Sequence, residues 1–393
     1  MLEALNTPAP DKIIELIATY AADPREDKFD LGVGVYKDAE GRTPVMRAVK
    51  AAERRLWEEQ TTKTYLSLLG DTDFVERMRD LVFADTVPLD RIVGAQTPGG
   101  TGAVHQLFEL VRRADPEAVV WYSDPTWPNH PAMLAHLAIP ARTYRYFDPA
   151  TRGVDFEGML ADLAEAKVGD VVLLHGCCHN PTGANPTLEQ WRVLTELCLR
   201  RGLVPMIDFA YQGFGNGLDP DAAGLRYMAS QVPEMLLAVS CSKNFGLYRD
   251  RVGAAFAIAS APNLATITKG NLASLNRMNY SFPPDHGAKT VEIILGDATL
   301  KADWMAELEG MRSGMLVLRE QFAEALRRAT NSDRYDFIAT HRGMFSRLGL
   351  TPEQVARLRD EYGVYMIGDS RINVAGLPAG RLDTLAAAIA AVG

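Results

Sequence analysis

The sequence predicts an α/β protein of two lobes: a large one built on a mostly parallel sheet covered by helices, and a smaller α+β one. Three observations predict it. The chain has 393 residues, beyond the roughly 250–300 at which a single core stops growing. Four short apolar runs end abruptly in small or polar residues and lead into helical patterns: AVVWYSDPTWPNH (118–130), DVVLLHGCCHNPTG (170–183), GLVPMIDFAYQGFG (202–215) and EMLLAVSCSKNFG (234–246). Strands apolar throughout, alternating with helices, belong to a parallel sheet covered on both faces. The third observation is a change of pattern after Trp304, where the alternation gives way to one long helical period.

The elements follow in order. Between the apolar runs lie amphipathic stretches such as LEQWRVLTELCLRRG (188–202). From Trp304, the residues Leu308, Met311, Met315, Leu318, Phe322 and Leu326 recur at the helical period and predict a long helix linking the lobes, weakened at Gly310 and Gly314. RYDFIAT (334–340) reads as a strand. TPEQ (351–354) opens a helix, with a Thr cap, Pro in the first turn and Gln three residues on. VYMIGD (364–369) and RINVAG (371–376) read as a strand pair, and PAGRLDTLAAAIAAVG closes the sequence as a helix.

Lys and Arg number 41 against 50 Asp and Glu, a net charge of -9. This balance disfavours a nucleic-acid partner while allowing a local basic pocket for a small anion. No apolar run approaches the ~20 residues that span a bilayer, and MLEALNTPAPDKIIELIATY has no basic region of the kind that opens a secretory leader. A cytoplasmic protein is expected. Four cysteines do not make a disulfide framework in this length, and Cys177 and Cys178 are too close for a CxxC zinc pair. His175 and His179 have the i, i+4 spacing of metal ligands, but the Gly and Pro around them argue against the helix that spacing needs, so no metal site is expected.

Ligands of such sheets bind outside the carboxyl ends of the strands. The polar residues just past the runs, Trp127, Asn180, Asp208, Tyr211, Ser240 and Lys243, are placed to converge there. Each alone also suits a turn; their joint occurrence points to a site. A buried lysine loses its charge cheaply, because desolvation lowers its pKa, and the neutral amine condenses with an aldehyde. Arg251 pushes Lys243 the same way and is able to hold a phosphate, so the pair suggests an aldehyde that carries a phosphate. A second phosphate candidate is GAQTPGGTGAVHQLFELVRR (94–113). There Gly99, Gly100 and Gly102 allow close backbone approach, and Thr101 adds a hydroxyl where a helix begins. This is not the dinucleotide fingerprint GxGxxG, and no GxxxxGK[ST] occurs, which removes the best support for an NAD enzyme or a P-loop ATPase. Asp208 puts a carboxylate at a buried strand end, where ionisation is costly without a partner. A protonated pyridine nitrogen is one such partner, and a local hydroxyl or backbone cap is another.

Eight motifs, GVGVYKD (32–38), TKTYLSLLG (62–70), QTPGGTGA (96–103), HGCCHNPTG (175–183), DFAYQGF (208–214), SCSKNFGLYRDRVG (240–253), RMNYSFPP (277–284) and SRINVAG (370–376), together resemble one family. It is the pyridoxal-phosphate aminotransferases of fold type I, in the subgroup holding the aspartate and aromatic-amino-acid enzymes. The resemblance implies an N-terminal arm over residues 1–11, a large cofactor-binding domain over 44–308 with a mixed, mostly parallel sheet, and a small domain from 12–43 and 309–393. It implies that Lys243 condenses with the cofactor aldehyde and then shuttles a proton between the substrate Cα and the cofactor. Asp208 pairs with the pyridinium nitrogen, Asn180 and Tyr211 bond the ring's phenolic oxygen, and Trp127 stacks on the ring. Gly100, Thr101, Ser240 and Arg251 hold the phosphate, with Ser242 nearby and Tyr65 reaching in from a second subunit. His175 and His179 look like supports of the ring and its aspartate.

The same resemblance assigns the substrate contacts. Arg371 grips the α-carboxylate, assisted by Asn180, the Gly34 backbone and Trp127, while Arg277 crosses a homodimer interface to the side-chain carboxylate of a dicarboxylic substrate. It implies ping-pong transfer of the amino group of tyrosine, phenylalanine and aspartate to 2-oxoglutarate, with a dedicated aspartate aminotransferase as the alternative and a lyase or decarboxylase further off. Two positions depart from the pattern. Phe282 stands where aspartate enzymes carry Asn, and Arg347 occupies a position usually apolar or small. Phe282 either makes the pocket less polar or packs behind Arg277; Arg347 bears on the packing near Phe345.

Overall fold

The computed structural model describes residues 1–7 and 11–393, so the expected N-terminal arm falls partly outside the described residues. The chain divides into two compact units, Pro44–Gly314 and Met1–Thr43 with Met315–Gly393.

The larger unit is built on a seven-stranded sheet. Its strands lie in the order Ile92–Pro98, Val252–Ile258, Met235–Ser240, Val204–Phe209, Val171–His175, Val120–Asp124 and Ala141–Arg145. The last five are parallel to one another, and Val252–Ile258 is antiparallel to both its neighbours, which makes the sheet mixed. The central strands are apolar on both faces because both faces are covered: Val171–His175, Met235–Ser240 and Val252–Ile258 are buried along their whole lengths. Leu188–Arg201 shows how the sequence encodes one covering helix. Thr187 and Gln190 form a capping box at its start, and Gly202 ends it in the left-handed conformation at φ 65°. Parallel strands joined by such helices bring Ser123, His175, Asp208 and Ser240 to one end of the sheet, with His175 directly opposite Asp208 in the register.

In the smaller unit two expectations change. RYDFIAT is not a strand: Phe337–Thr340 is a short helix. Tyr335 and Ile338, three residues apart, are both buried, and a helical turn buries such a pair where an extended strand would point them to opposite faces. VYMIGD and RINVAG do hold strands, yet these do not pair with each other. Val364–Tyr365 runs parallel to Phe29–Asp30, and Arg371–Asn373 runs antiparallel to Phe345–Arg347. Edges supplied from far along the chain outcompete the near neighbour, and periodicity in one segment carries no information about them. The Thr351/Gln354 capping box opens Pro352–Tyr362 as read.

The long helix is continuous from Ala298 to Thr330, 33 residues, and the unit boundary falls inside it. Gly310 and Gly314 do not break it. Both are exposed, and a Cβ added to either meets nothing within 4 Å. Glycine there costs backbone entropy without serving packing. Gly310→Ala and Gly314→Ala are each expected to raise stability by about 0.5–1 kcal/mol, read as a higher urea midpoint; a lowered midpoint would mean that the helix bends at these positions.

Candidate active site

The site starts from a charge that burial disfavours. Asp208, near the end of Val204–Phe209, is buried, and desolvation alone pushes its carboxyl up. The balance nevertheless lies below the ordinary carboxylate value, because His130 hydrogen-bonds it and His130 and Lys243 add favourable charge. His130 Nε2 stands 3.0 Å from Asp208 Oδ2, and its Nδ1 is 2.8 Å from Thr126 Oγ1, so both ring nitrogens are engaged and the imidazole is oriented. It comes from the helix Asn129–His136, and the edge of its ring meets Trp127 at 5.2 Å.

Sequence reasoning passed over His130, giving support of the aspartate to His175 and His179 instead. His179 bonds Ser123 at 3.0 Å and Thr182 at 2.9 Å, with Tyr146 stacked on it at 3.8 Å. It braces the strand ends around it. His175 is buried between the two other rings, at centroid distances of 5.3 Å and 4.3 Å, with no hydrogen-bond partner for either nitrogen among the described residues. Burial, reinforced by the charge of His130, drives its pKa down to about 3, so the ring is neutral. The signal for His130 was present: a buried aspartate demands a partner, and DPTWPNH delivers a histidine beside the strand end.

Lys243 lies three residues past Met235–Ser240 in a turn closed by the Gly246 amide on its carbonyl at 3.0 Å. The next residues are held firmly. Phe245 stacks on the fully buried Trp304 at 4.4 Å, and Trp304 Nε1 donates to the Asn244 carbonyl at 2.7 Å. Lys243 Nζ stands 4.6 Å from the centre of the Tyr211 ring. Burial lowers its pKa to about 8; the positive charge of Arg251 acts the same way, and Asp208 opposes them.

The third component is an anion cradle. Helix Gly99–Ala114 begins with no side chain capping it, leaving its first-turn N–H groups free to meet an anion, with the helix dipole behind them. Gly99 has φ +70°, and a Cβ there would stand 2.6 Å from Arg251 Nη2; one on Gly100 would stand 2.8 Å from Ser240 Cβ. These glycines let the helix end, Ser240 and Arg251 close on one spot, with Thr101 in the same first turn. Arg251 itself adopts φ +55°, and its Nη1 donates to the Tyr248 carbonyl at 2.9 Å and reaches Ser242 Oγ at 3.5 Å. An uncapped helix end, two hydroxyls and a guanidinium suit a phosphate. The ionised Asp208 suits a protonated ring nitrogen. These residues therefore fit a phosphorylated pyridine aldehyde.

Asn180 and Tyr211 are buried near these strand ends. Tyr65 and Arg277 are placed differently. Tyr65 is 78 % exposed and stacks on Phe282 at 4.6 Å, and Arg277 is exposed with its guanidinium on Ser281. Arg371 and Gly34 belong to the smaller unit. There Arg371 lies 4.4 Å above the Phe345 ring and donates to the Gly32 carbonyl at 3.0 Å. Arg347 does not disturb Phe345, since it turns to Asp369, 3.4 Å away.

Comparison with known proteins matches this architecture. Residues 26–389 match the family model for aminotransferase class I and II. The chain is 56 % identical to an aromatic-amino-acid aminotransferase of Paracoccus denitrificans and 44 % identical to an aspartate aminotransferase of Salmonella typhi, covering 100 % of both chains in each case. A crystal structure of an aromatic-amino-acid aminotransferase from Burkholderia pseudomallei, covalently bound to pyridoxal phosphate, superposes with a TM-score of 0.97 at 40 % identity. That match covers 100 % of this chain and 99 % of the other.

The lowered pKa of Lys243 is open to direct measurement. Competitive acetylation of the cofactor-free protein, with the Lys243 peptide followed by mass spectrometry, should show reactivity rising with a midpoint near pH 8, against 10.5 for an ordinary lysine. Arg251→Gln removes a charge that disfavours the ammonium, so its midpoint moves up. A wild-type midpoint above 10 would contradict the electrostatics described.

Proposed function

Since the chain belongs to the class I and II aminotransferases, we propose that it moves the amino group of tyrosine, phenylalanine and aspartate to 2-oxoglutarate in two ping-pong half-reactions. The cofactor is pyridoxal 5'-phosphate. When bound, it supplies an aldehyde that takes up the amino group and a pyridinium ring that draws electrons from the substrate Cα.

The protein's part is binding, orientation and proton transfer. The observation that carries the reading is the buried pair of Asp208, kept ionised by His130, and Lys243, whose pKa is brought to about 8. Asp208 would receive the N–H of the ring, and Asn180 and Tyr211 would donate to its phenolic oxygen. Trp127 would cover the ring face. Gly100, Thr101, Ser240, Ser242 and Arg251 would hold the phosphate. Lys243, partly neutral near physiological pH, would hold the cofactor at its aldehyde carbon, and its free amine would serve as the general base for the proton on the substrate Cα. Arg371 would hold the α-carboxylate with the Gly34 backbone, and charge-assisted pairs of this kind contribute on the order of 1.5–3 kcal/mol.

A homodimer belongs to the same proposal. The exposure of Tyr65 and Arg277 in the single chain supports it, since each then serves its neighbour: the partner subunit's Tyr65 at the phosphate and the partner subunit's Arg277 at a side-chain carboxylate. The Tyr65–Phe282 stack supports aromatic side chains beside that arginine. Arg277 favours the second reading, a dedicated aspartate aminotransferase. Among the described residues no helix is long and apolar enough to cross a membrane; Cys177, Cys198 and Cys241 are buried thiols outside any disulfide, which suits a reducing compartment, and we place the enzyme in the cytoplasm.

Single-turnover absorbance of the cofactor-loaded enzyme separates the readings. Tyrosine or phenylalanine should convert the bound cofactor with a k/K comparable to or above that of aspartate, and Lys243→Ala should slow conversion by roughly 10²–10⁴-fold or more. Conversion by aspartate alone would establish the second reading. Undiminished conversion in Lys243→Ala would overturn the role of the lysine.

A further inference from the structure

Arg319 lies on the helix Ala298–Thr330 with its side chain fully buried. Its Nη1 donates to the Ile338 carbonyl at 3.0 Å and to Ser346 Oγ at 2.8 Å. Its Nη2 donates to the carbonyls of Gly343 at 2.6 Å and Phe345 at 2.8 Å. Burying a guanidinium is costly, and an apolar side chain of similar volume often stabilises a core more. Phe322, Leu326 and Ile338 belong to the apolar core of this unit, yet an apolar side chain at 319 would leave four buried oxygens without their donors. The charge instead fixes the course of one segment, from Ile338 to Ser346.

That segment carries Phe345. The Phe345 ring lies 4.4 Å from the Arg371 guanidinium, and a Cβ added to Gly34 would stand 3.0 Å from its Cζ. Ser346 sits opposite Ile372, beside Arg371, in the two-stranded ladder. Moving Phe345 therefore moves both the surface under the arginine fork and the neighbour of the Gly34 backbone. The forked donors of arginine bind four oxygens spread over the segment, and a lysine ammonium has one nitrogen with which to replace them.

We propose that Arg319 is a positioning residue for the substrate carboxylate: by holding the Phe345 backbone it aims Arg371 and sets binding of amino acid and 2-oxo acid alike. The proposal rests on the reading of Arg371 as the carboxylate-binding residue. Misplacement of a binding group changes affinity for every substrate that uses it and leaves proton transfer at Lys243 intact.

The test is steady-state kinetics of the cofactor-loaded enzyme carrying Arg319→Met, Arg319→Lys, Ser346→Ala, Arg371→Lys or Leu326→Ala, each with its thermal midpoint. Both Arg319 variants are expected to raise KM for amino acid and 2-oxo acid about tenfold, with kcat within about threefold of the parent. Leu326→Ala, a packing loss in the same core, should lower the midpoint and leave both KM values unchanged. Folded Arg319 variants with parental KM values, beside an Arg371→Lys variant whose KM rises, would overturn the proposal. So would a rise in Leu326→Ala equal to theirs. Parental KM values in Arg371→Lys would instead overturn the reading beneath it. If neither Arg319 variant folds, Ser346→Ala decides: a rise of about two- to threefold supports the proposal, and no change overturns it.

Discussion

The hydrogen bond from His130 to Asp208 is the interaction on which the rest of the site depends. A carboxylate at the end of a buried strand has lost its water, and without a partner it would take up a proton. His130 supplies that partner at 3.0 Å and is itself held by Thr126. Leaving a buried group without its hydrogen-bond partner costs about 1–3 kcal/mol, more for a charged one. The anion so preserved offsets part of the desolvation of Lys243 and stands ready for a protonated ring nitrogen. The depressed carboxyl contributes stability above its unfolded value near 3.8, and that stability is lost as pH falls through the folded value.

One arginine serves two ends. Arg251 lies against the Gly99 turn, where its charge suits a phosphate at the uncapped helix start, and the same charge disfavours the protonated form of Lys243. A phosphate held there would couple cofactor binding to the charge state of Lys243 through a single guanidinium. The two glycines make this arrangement sterically attainable, since a methyl group at Gly99 would press on Arg251 and one at Gly100 on Ser240. Arg251 adopts a left-handed backbone to reach its place, a conformation uncommon outside glycine and frequent at functional sites.

Much of this was legible from local rules. Apolar runs that end in polar residues identify the central strands and the end of the sheet where chemistry gathers, and capping residues identify helices such as Pro352–Tyr362. Lys243, Asp208, Asn180 and Tyr211 stand out because each follows such a run, and the structure buries the last three and the amine of the first. What local rules missed is non-local. Phe345–Arg347 and Phe29–Asp30 claim strands that seemed destined for each other, and the 334–340 stretch buries Tyr335 and Ile338 through a helical turn. His130 went unassigned because its partner lies 78 positions further along the chain. Arg319 went unread for the same reason, since a lone arginine on a helical face looks solvated until the core closes over it.

That a buried carboxylate stays ionised because one histidine holds it is tested most directly by a pH titration of the Asp208 carboxyl carbon. This is done by 13C NMR on the cofactor-free protein labelled at aspartate, with the resonance assigned by its loss in Asp208→Asn. The resonance should remain that of a carboxylate down to below pH 3.8, and it should titrate at a distinctly higher pH in His130→Phe. A carboxyl already protonated at neutral pH, or a titration indifferent to His130→Phe, would contradict the electrostatic basis of the site.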